Sequence, residues 1–343
     1  MSEIEVKKIT DRAGTGSPNF TNGVKVSGTD SGLLAPTRTE GDTQPDAETA
    51  SNGDTFYDTA NDTYDILTEG AWTRVLGEGG GGGPWTVDLS NVTYDSVSFS
   101  VGSQAYSPEG LSLSPDGAKM FVICRGSDSV YQYTLSTPFD LSSAAYDSVS
   151  LSVISQDTNM FDIAFNTDGT KMYLVGSGND LVYQYSLSTG FDLSTASYDS
   201  VSFGAQDVAP SGLAFSTDGT KLTCVGYGSD YAYQFSLSTG FDLSTASYDG
   251  FLNLASQTTA PVSVAFNSSG DKMYVLSITP SDDVYQYTLS TPFDATSASY
   301  DSISTSVASQ LSSPTGVEFS SDGTKMYVVG SATDAVFQYS TGL

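Results

Sequence analysis

The stretch YDSVSLSVISQDTNMFDIAFNTDGTKMYLVGSGNDLVYQYSLSTGFDLSTAS, residues 146–197, decides the fold because it returns along the chain. Its opening Tyr-Asp recurs at Tyr94, Tyr146, Tyr198, Tyr248 and Tyr300, at spacings of 52, 52, 50 and 52 residues. A period of this length, rich in β-branched and aromatic residues, predicts a repeat architecture over residues 85–343.

Each copy resolves into four strands. In the first copy, strand a is predicted at 110–114, b at 120–124, c at 130–135 and d at 149–153. Strand a sets large apolar residues against small ones, as with Ile163 and Phe165 about Ala164, which suits a crowded taper near a central axis. Strand b is apolar on both faces, as a central strand is. Strand d carries Ser on one face, as in Ser96, Ser98 and Ser100, and is expected at the solvent edge. Asp116-Gly117, Asp168-Gly169, Asp218-Gly219 and Asp322-Gly323 mark tight a–b hairpins, with Ser269-Gly270 in the fourth copy. No Asp-x-Asp-x-Asp-Gly spacing surrounds these pairs, so turn chemistry is expected there and not calcium.

Four-stranded units carrying (S/T)xDGxK(M/L) resemble the YVTN and PD40-like β-propeller repeats, across all five copies. The blade count follows from register. Val87-Asp88-Leu89-Ser90 matches Phe191-Asp192-Leu193-Ser194, so the repeats begin just before a d strand and end after the c strand at Phe337-Gln338-Tyr339-Ser340. The first d strand is therefore expected to complete the last blade and remove two open sheet edges. The predicted fold is all-β: a closed five-bladed β-propeller behind a small β-rich N-terminal module.

Composition excludes several classes. The chain has 343 residues, 12 Lys and Arg, 40 Asp and Glu, no His, and a net charge of −28. Up to residue 83 there are 6 basic and 14 acidic residues (−8); the repeats hold 6 and 26 (−20). Both regions would repel phosphates, so no nucleic-acid partner is expected. Imidazole catalysis and His ligation are excluded. Cys124 and Cys224 lie in the second strands of the first and third copies, too far apart to bridge, and are read as small core residues. No signal peptide and no membrane span are expected.

The front of the chain divides into an extended, partner-dependent segment at 1–50, a small β-meander at 51–76 and a glycine-rich linker at 77–84 (GEGGGGGP). The first segment holds too little apolar surface to offset its own ordering. The second carries GDTFYDT, TYDIL and AWTRVL between turn residues. The linker has a root-mean-square reach of roughly 15 Å. DRAGTGSPNFTNGVKVSG (11–28) and NGDTFYDTANDTYDILTEGAWTRV (52–75) resemble the N-terminal regions of bacteriophage tail-fibre and other virion-attached proteins. That resemblance implies anchoring to a particle through other virion proteins, commonly as a homo-oligomer such as a trimer.

Two polar sets recur in every copy. Gln104, Gln156, Gln206, Gln257 and Gln310 lie in the d–a loops, and Asp128, Asp180, Asp230, Asp282 and Asp334 in the b–c turns. Both loop types emerge on one face. They are either a five-fold polar rosette suited to sugar hydroxyls or a weakly held cation, or residues that cap their own turns. Gln132, Gln184, Gln234, Gln286 and Gln338, within strand c, are expected to hydrogen-bond between blades. Phe139, Phe191, Phe241 and Phe293 are expected to plug the blade bases, with Val87 standing in for the fifth. Glu109, Asp162 and Glu318 are the acidic departures near the inner strand. A lone carboxylate pair is weak ground for catalysis, so no catalytic residue, cofactor or metal is expected.

Three functions are compatible with these features. The leading one is a non-enzymatic virion surface protein, fibre- or spike-like and extracellular on the particle, whose propeller meets a host-surface glycan or protein. The second is a bacterial cell-surface or secreted carbohydrate-binding propeller. The third is a lyase or hydrolase with its site at the propeller mouth. Exposed residues beside the Gln and Asp loops, such as Tyr106 or Asp207, would then contact the receptor.

Overall fold

The structure is a computed structural model that describes residues 38–41, 55–58, 63–68, 71–75, 85–104 and 106–343. It divides into two units, 1–79 and 80–343. In the first, β1 (Arg38–Gly41), β2 (Thr55–Asp58), β3 (Thr63–Thr68) and β4 (Ala71–Val75) form one sheet in that order. The expected meander is β2 to β4, and β1 joins it in parallel to β2. The linker and most of the 1–50 segment lie outside the described residues.

The second unit opens with β5 (Thr93–Ser100), and the strands that follow fall into five four-stranded antiparallel sheets. Blade 1 is β6 (Pro108–Leu113), β7 (Lys119–Cys124), β8 (Ser129–Leu135) and β9 (Ala144–Ser152). Blade 2 is β10 (Met160–Phe165), β11 (Lys171–Gly176), β12 (Leu181–Leu187) and β13 (Ala196–Gly204). Blade 3 is β14 (Pro210–Phe215), β15 (Lys221–Gly226), β16 (Tyr231–Leu237) and β17 (Ala246–Asn253). Blade 4 is β18 (Pro261–Phe266), β19 (Lys272–Ser277), β20 (Asp283–Leu289) and β21 (Ala298–Ser306). Blade 5 is β22 (Pro314–Phe319), β23 (Lys325–Gly330) and β24 (Ala335–Ser340), completed by β5. That closure is the expected one: Gln338 pairs with Val97 and Ser340 with Thr93.

The inner strands β6, β10, β14, β18 and β22 follow one another in a closed ring. Crowding at the axis explains their composition. A Cβ on Gly110 would sit 2.7 Å from the Asp162 Cα, and one on Gly316 would sit 3.1 Å from the Gly110 Cα. Such positions need glycine for close approach of backbones. Between blades the core is apolar: Phe121 and Ile123 of blade 1 pack on Ile163, Met172 and Leu174 of blade 2.

Strand d is longer than its apolar alternation predicts. It begins at Ala144 in blade 1 and takes in the Tyr-Asp phrase. A bulge of Asp147 and Ser148 separates the pairs Gln132–Val149 and Tyr133–Tyr146. Ser96, Ser148, Ser200 and Ser302 adopt φ near +60° there. In blade 3 the bulge loses a residue, leaving Asp249 between the Gln234–Gly250 and Phe235–Tyr248 pairs. The bulges interrupt period-two patterning and twist the solvent-facing edge.

The blade plugs require one correction. Phe139, Phe191, Phe241 and Phe293 pack over the hairpin glycines Gly117, Gly169, Gly219 and Gly270, but over Gly323 the ring belongs to Trp85. Val87 keeps the backbone role alone: its carbonyl accepts from the Tyr274 hydroxyl at 2.9 Å, as the Phe241 carbonyl accepts from Tyr173. The four Phe sit at φ between 56° and 62°, whereas Val87 is not left-handed. In blades 1 to 4 the ring follows strand c, while Trp85, which follows no strand of the propeller, places its indole at the same point. The indole Nε1 donates to the Ser321 carbonyl at 2.9 Å. Both ends of the propeller chain therefore lie on the a–b and c–d face.

Candidate functional site

The Tyr-Asp carboxylates and the strand-c glutamines, which recur in all five blades, are committed to the scaffold, whereas Asp128 and Asp180 each keep a buried carboxylate oxygen without a partner among the described residues. In blade 1 the Asp147 carboxylate accepts from Lys119 Nζ at 2.7 Å, Gln132 Nε2 at 2.9 Å and Thr134 Oγ1 at 2.6 Å. The same arrangement holds Asp95, Asp199 and Asp301. Burial works against these charges, but the donors outweigh it and hold each carboxyl below its ordinary value. Asp249 takes Lys221 and Ser236 alone, because Gln234 turns to the Leu222 and Phe235 carbonyls.

The strand-c amides also join neighbouring blades, as expected. Gln132 Oε1 accepts from Leu193 N, Gln184 from Leu243, Gln234 from Ala295, Gln286 from Leu89 and Gln338 from Leu141, all within 3.0 Å. Each acceptor is buried and each donor opens a one-turn helix of the adjacent c–d loop. Unpaired, these N–H groups would be costly, so the amides are obligatory.

The two sets singled out in the sequence are placed within their own loops. Asp128, Asp180, Asp230 and Asp334 take left-handed φ of 45° to 60°, where Asp is tolerated. The carbonyls of all five accept from the residue after strand d: Val153, Ala205, Leu254, Val307 and Val101, respectively, for Asp128, Asp180, Asp230, Asp282 and Asp334. The Asp334 carboxylate also accepts from Ser107 N in the next loop at 2.9 Å. Among the Gln set, Gln156, Gln257 and Gln310 accept from the hydroxyls of Tyr185, Tyr287 and Tyr339. Gln206 is exposed, and blade 3 has Phe235, with no hydroxyl to offer, at the repeat position of Tyr185; Gln104 is half-buried. Asp207 is not the exposed residue expected: it is 2% exposed and accepts from Ala209 N, Gly228 N and Ser229 Oγ. Tyr106 is exposed as expected, at 63%.

Five-fold symmetry breaks where the inner strands begin, on the d–a and b–c face. Each inner strand carries a bulge at its second residue, which re-aims that side chain. Those residues are Glu109, Phe161, Ser211, Val262 and Thr315, all buried. Ser211 and Thr315 bond to carbonyls of the next inner strand, Pro261 and Pro108. Glu109 pairs instead with Arg125, Nε to Oε1 at 3.0 Å. The Arg125 guanidinium lies 5.3 Å above the Phe161 ring, whose edge meets Tyr227 at 5.9 Å. Burial pushes the Glu109 carboxyl up to about 7, with Arg125 pulling the other way, and pushes the Tyr227 hydroxyl up to about 12.

The other acidic departures lie along the inner strands. Asp162 is 5% exposed and accepts from Ile163 N at 2.9 Å and Leu213 N at 3.0 Å. Burial pushes its carboxyl up to about 7, although these N–H groups favour the charge. Glu318 is half-buried; desolvation first and the Asp162 charge second push it up to about 8. Among the described residues no three His, Cys, Asp or Glu side chains converge as metal ligands. Cys124 and Cys224 are both free and buried. No helix of the described residues is long and apolar enough to cross a membrane.

Of the departures around the axis the sequence singles out Glu109, Asp162 and Glu318 but not Arg125, Phe161 or Tyr227. Arg125 had a signal of its own: it is the one arginine after residue 84 and stands where the other copies have Ser177, Tyr227, Ile278 and Ser331.

No family model matches the chain, and no curated protein matches it. Among solved structures it is similar to a protein from Lactobacillus plantarum, at 13% identity and TM-score 0.45, over 90% of this chain and 83% of that one. It is similar to a chain of a nidogen/laminin complex at 12% identity and TM-score 0.45, over 84% and 88%. A putative 6-phosphogluconolactonase from Bacteroides uniformis gives 14% identity and TM-score 0.42, over 75% and 70%. The five-bladed propeller itself is established by the pairing of the five sheets and the closed ring of inner strands.

Proposed function

We propose that this chain is a non-enzymatic virion surface protein, fibre- or spike-like, whose propeller recognises a host-surface glycan or protein. Residues 1–76 would hold it to the particle through other virion proteins, as a homo-oligomer. A propeller is consistent with a non-enzymatic binding or structural role. The observation that carries recognition is the asymmetry of one face: Arg125, Glu109, Phe161 and Tyr227 depart from the repeat around the axis, on the face opposite the one where the chain enters at Trp85. The virion assignment rests on the resemblance of residues 11–28 and 52–75 alone. Against catalysis, Glu109 is tied to Arg125 and Ser107 and Asp162 to two backbone N–H groups, so neither offers a free carboxylate.

A bacterial cell-surface or secreted carbohydrate-binding propeller would use the same face, and its favouring observation is the exposed Tyr106 ring. The test has two arms. Purified particles from a producing lysate are probed with antibody against this chain; co-sedimentation supports the virion assignment, and its absence with the protein found on cell envelopes overturns it. Particles or purified protein bearing Tyr106→Ala are then assayed for cell binding. Loss of binding with assembly intact supports recognition by this face, and loss only through changes on the a–b and c–d face refutes it.

A further inference from the structure

Taking the propeller as a recognition domain, as proposed above, we infer that blade 1 binds a carboxylate-bearing sugar residue, with its carboxylate on the outer edge of Arg125 and its ring on Tyr106. Cations are scarce in the propeller, and their use is the first ground. Its five lysines, Lys119, Lys171, Lys221, Lys272 and Lys325, all pair with the Tyr-Asp carboxylates inside their own blades. Arg125 is the sixth cation and sits outside that scheme. Glu109 fixes its Nε and Phe161 its face, which leaves the two Nη groups with no hydrogen-bond partner among the described residues. The side chain is 44% exposed. A planar fork held at one edge and open at the other is built for bidentate contact with a carboxylate.

Charge selects among anions. The propeller carries 6 basic and 26 acidic residues, and Glu109 already offsets the charge of Arg125. A dianion such as a phosphate monoester would meet a strongly negative field, whereas a monoanion is opposed least.

The sugar ring is argued from Tyr106. Its counterparts two residues after the loop glutamines are Thr158, Val208, Thr259 and Ser312, so it is again peculiar to blade 1. Its ring rests on Gly126, the neighbour of Arg125, where any Cβ would fall within it. Its backbone is fixed as well. Cys124 Sγ donates to the Tyr106 carbonyl at 2.6 Å, Arg125 N to the Ser107 carbonyl at 3.1 Å, and Asp334 accepts from Ser107 N. An exposed aromatic face seated on the residue next to Arg125 offers stacking to the sugar's apolar face, and the guanidinium a fork to its carboxylate.

The test uses the full chain with methyl β-glucuronide and methyl β-glucoside, which differ in the carboxylate alone, read by saturation-transfer NMR and calorimetry. The glucuronide is expected to bind at least about tenfold more tightly. Tyr106→Ala and Arg125→Lys are each expected to weaken it by about tenfold; the lysine keeps a charge beside Glu109, and Tyr106 lies outside that pair, so folding is preserved. Phe251→Ser, on the outer edge of blade 3, should leave binding unchanged. Equal affinity for both sugars, saturation by neither, or indifference to both variants overturns the inference. If neutral glycans bind and Tyr106→Ala abolishes it, the acidic class falls while recognition by this face stands. If neither variant alters cell binding by the full protein, the recognition function itself falls.

Discussion

Replacing Gln338 with Met tests whether the strand-c amides hold the ring shut. Gln338 is 4% exposed, accepts from Leu141 N at 2.8 Å and donates to Asp95 Oδ2 at 2.8 Å. It therefore ties β24 both to blade 1 and to β5, the strand that completes blade 5. Methionine has similar volume and fills the site, so the loss is confined to hydrogen bonding. The Leu141 N–H is left buried and unpaired, a cost of about 1–3 kcal/mol. Asp95 keeps Lys325 Nζ and Ser340 Oγ at 2.7 and 2.6 Å, so its share is on the order of 1 kcal/mol. The sum of about 2–4 kcal/mol should lower Tm by roughly 4–16 °C. Urea unfolding of the full chain in a Trp72→Phe background would be followed by Trp85 fluorescence, since that indole packs between Tyr274 and Phe319 at the closure. In a double-mutant cycle with Asp95→Asn, Gln338 should couple by about 1 kcal/mol, whereas Gln234, which reaches no carboxylate, should show no coupling with Asp249. A cost below about 0.5 kcal/mol, the scale of a surface substitution, would refute the structural role assigned to these amides.

Other outcomes follow from the same geometry. Trp85→Phe should be tolerated within about 1.5 kcal/mol because four blades already use Phe there, while Trp85→Ala should cost about 3–5 kcal/mol by equilibrium unfolding. Gly110→Ala should destabilise by at least about 1–3 kcal/mol, since its Cβ would meet inner-strand backbone; a neutral effect would mean that the axis is looser than described. The Asp162 carboxyl is raised to about 7 from an ordinary 3.8, so the folded chain holds that proton more tightly than the unfolded one. Its contribution is complete below about pH 4 and is lost as pH rises through 7. Asp162→Asn loses one of the two acceptor oxygens but carries no charge, so its Tm relative to wild type should rise steadily from about pH 4 to about pH 8. The paired Asp95, Asp147, Asp199 and Asp301 have lowered values and act oppositely, losing their contribution as pH falls below their ordinary range.

What the sequence disclosed and what it hid have distinct physical causes. Blade number and closure were legible because the phrase around Phe191 and its partial copy at Val87 fix the register at both ends. Side-chain replacement across the backbone was not: Trp85 fills a pocket that alignment assigns to Val87, since Val87 lacks the left-handed turn that aims the four Phe rings. Strand d was under-read because its Asp-Ser bulge breaks period-two alternation at Asp147 and Ser148. Asp207 was misjudged because a loop position suggests exposure, whereas an Asp accepting N–H groups two residues on folds inward. Tyr106 was legible as an exposed residue beside the recurring loops, whereas Arg125 was not, because a repeat directs attention to what recurs.

The axial carboxylates show why departure from symmetry is not by itself a mark of function. Asp162 stands where blades 1, 3 and 5 have Gly110, Gly212 and Gly316 and blade 4 has Ser263. A Cβ at Gly110 would run into Asp162, so the missing side chain of one strand makes room for the side chain of the next. Asp162 reaches on to Leu213 N as Ser263 reaches to Val317 N at 3.2 Å, a strand-to-strand bond in the same direction round the ring. Its raised carboxyl is thus the consequence of packing a tight axis with one residue larger than the rest. Arg125 and Tyr106 differ in kind. Each reaches solvent, each is held in place by neighbours that use up its buried groups, and each leaves one face or edge without a partner in the scaffold. A departure that packing explains needs no ligand, and one that packing leaves open is where a ligand would bind.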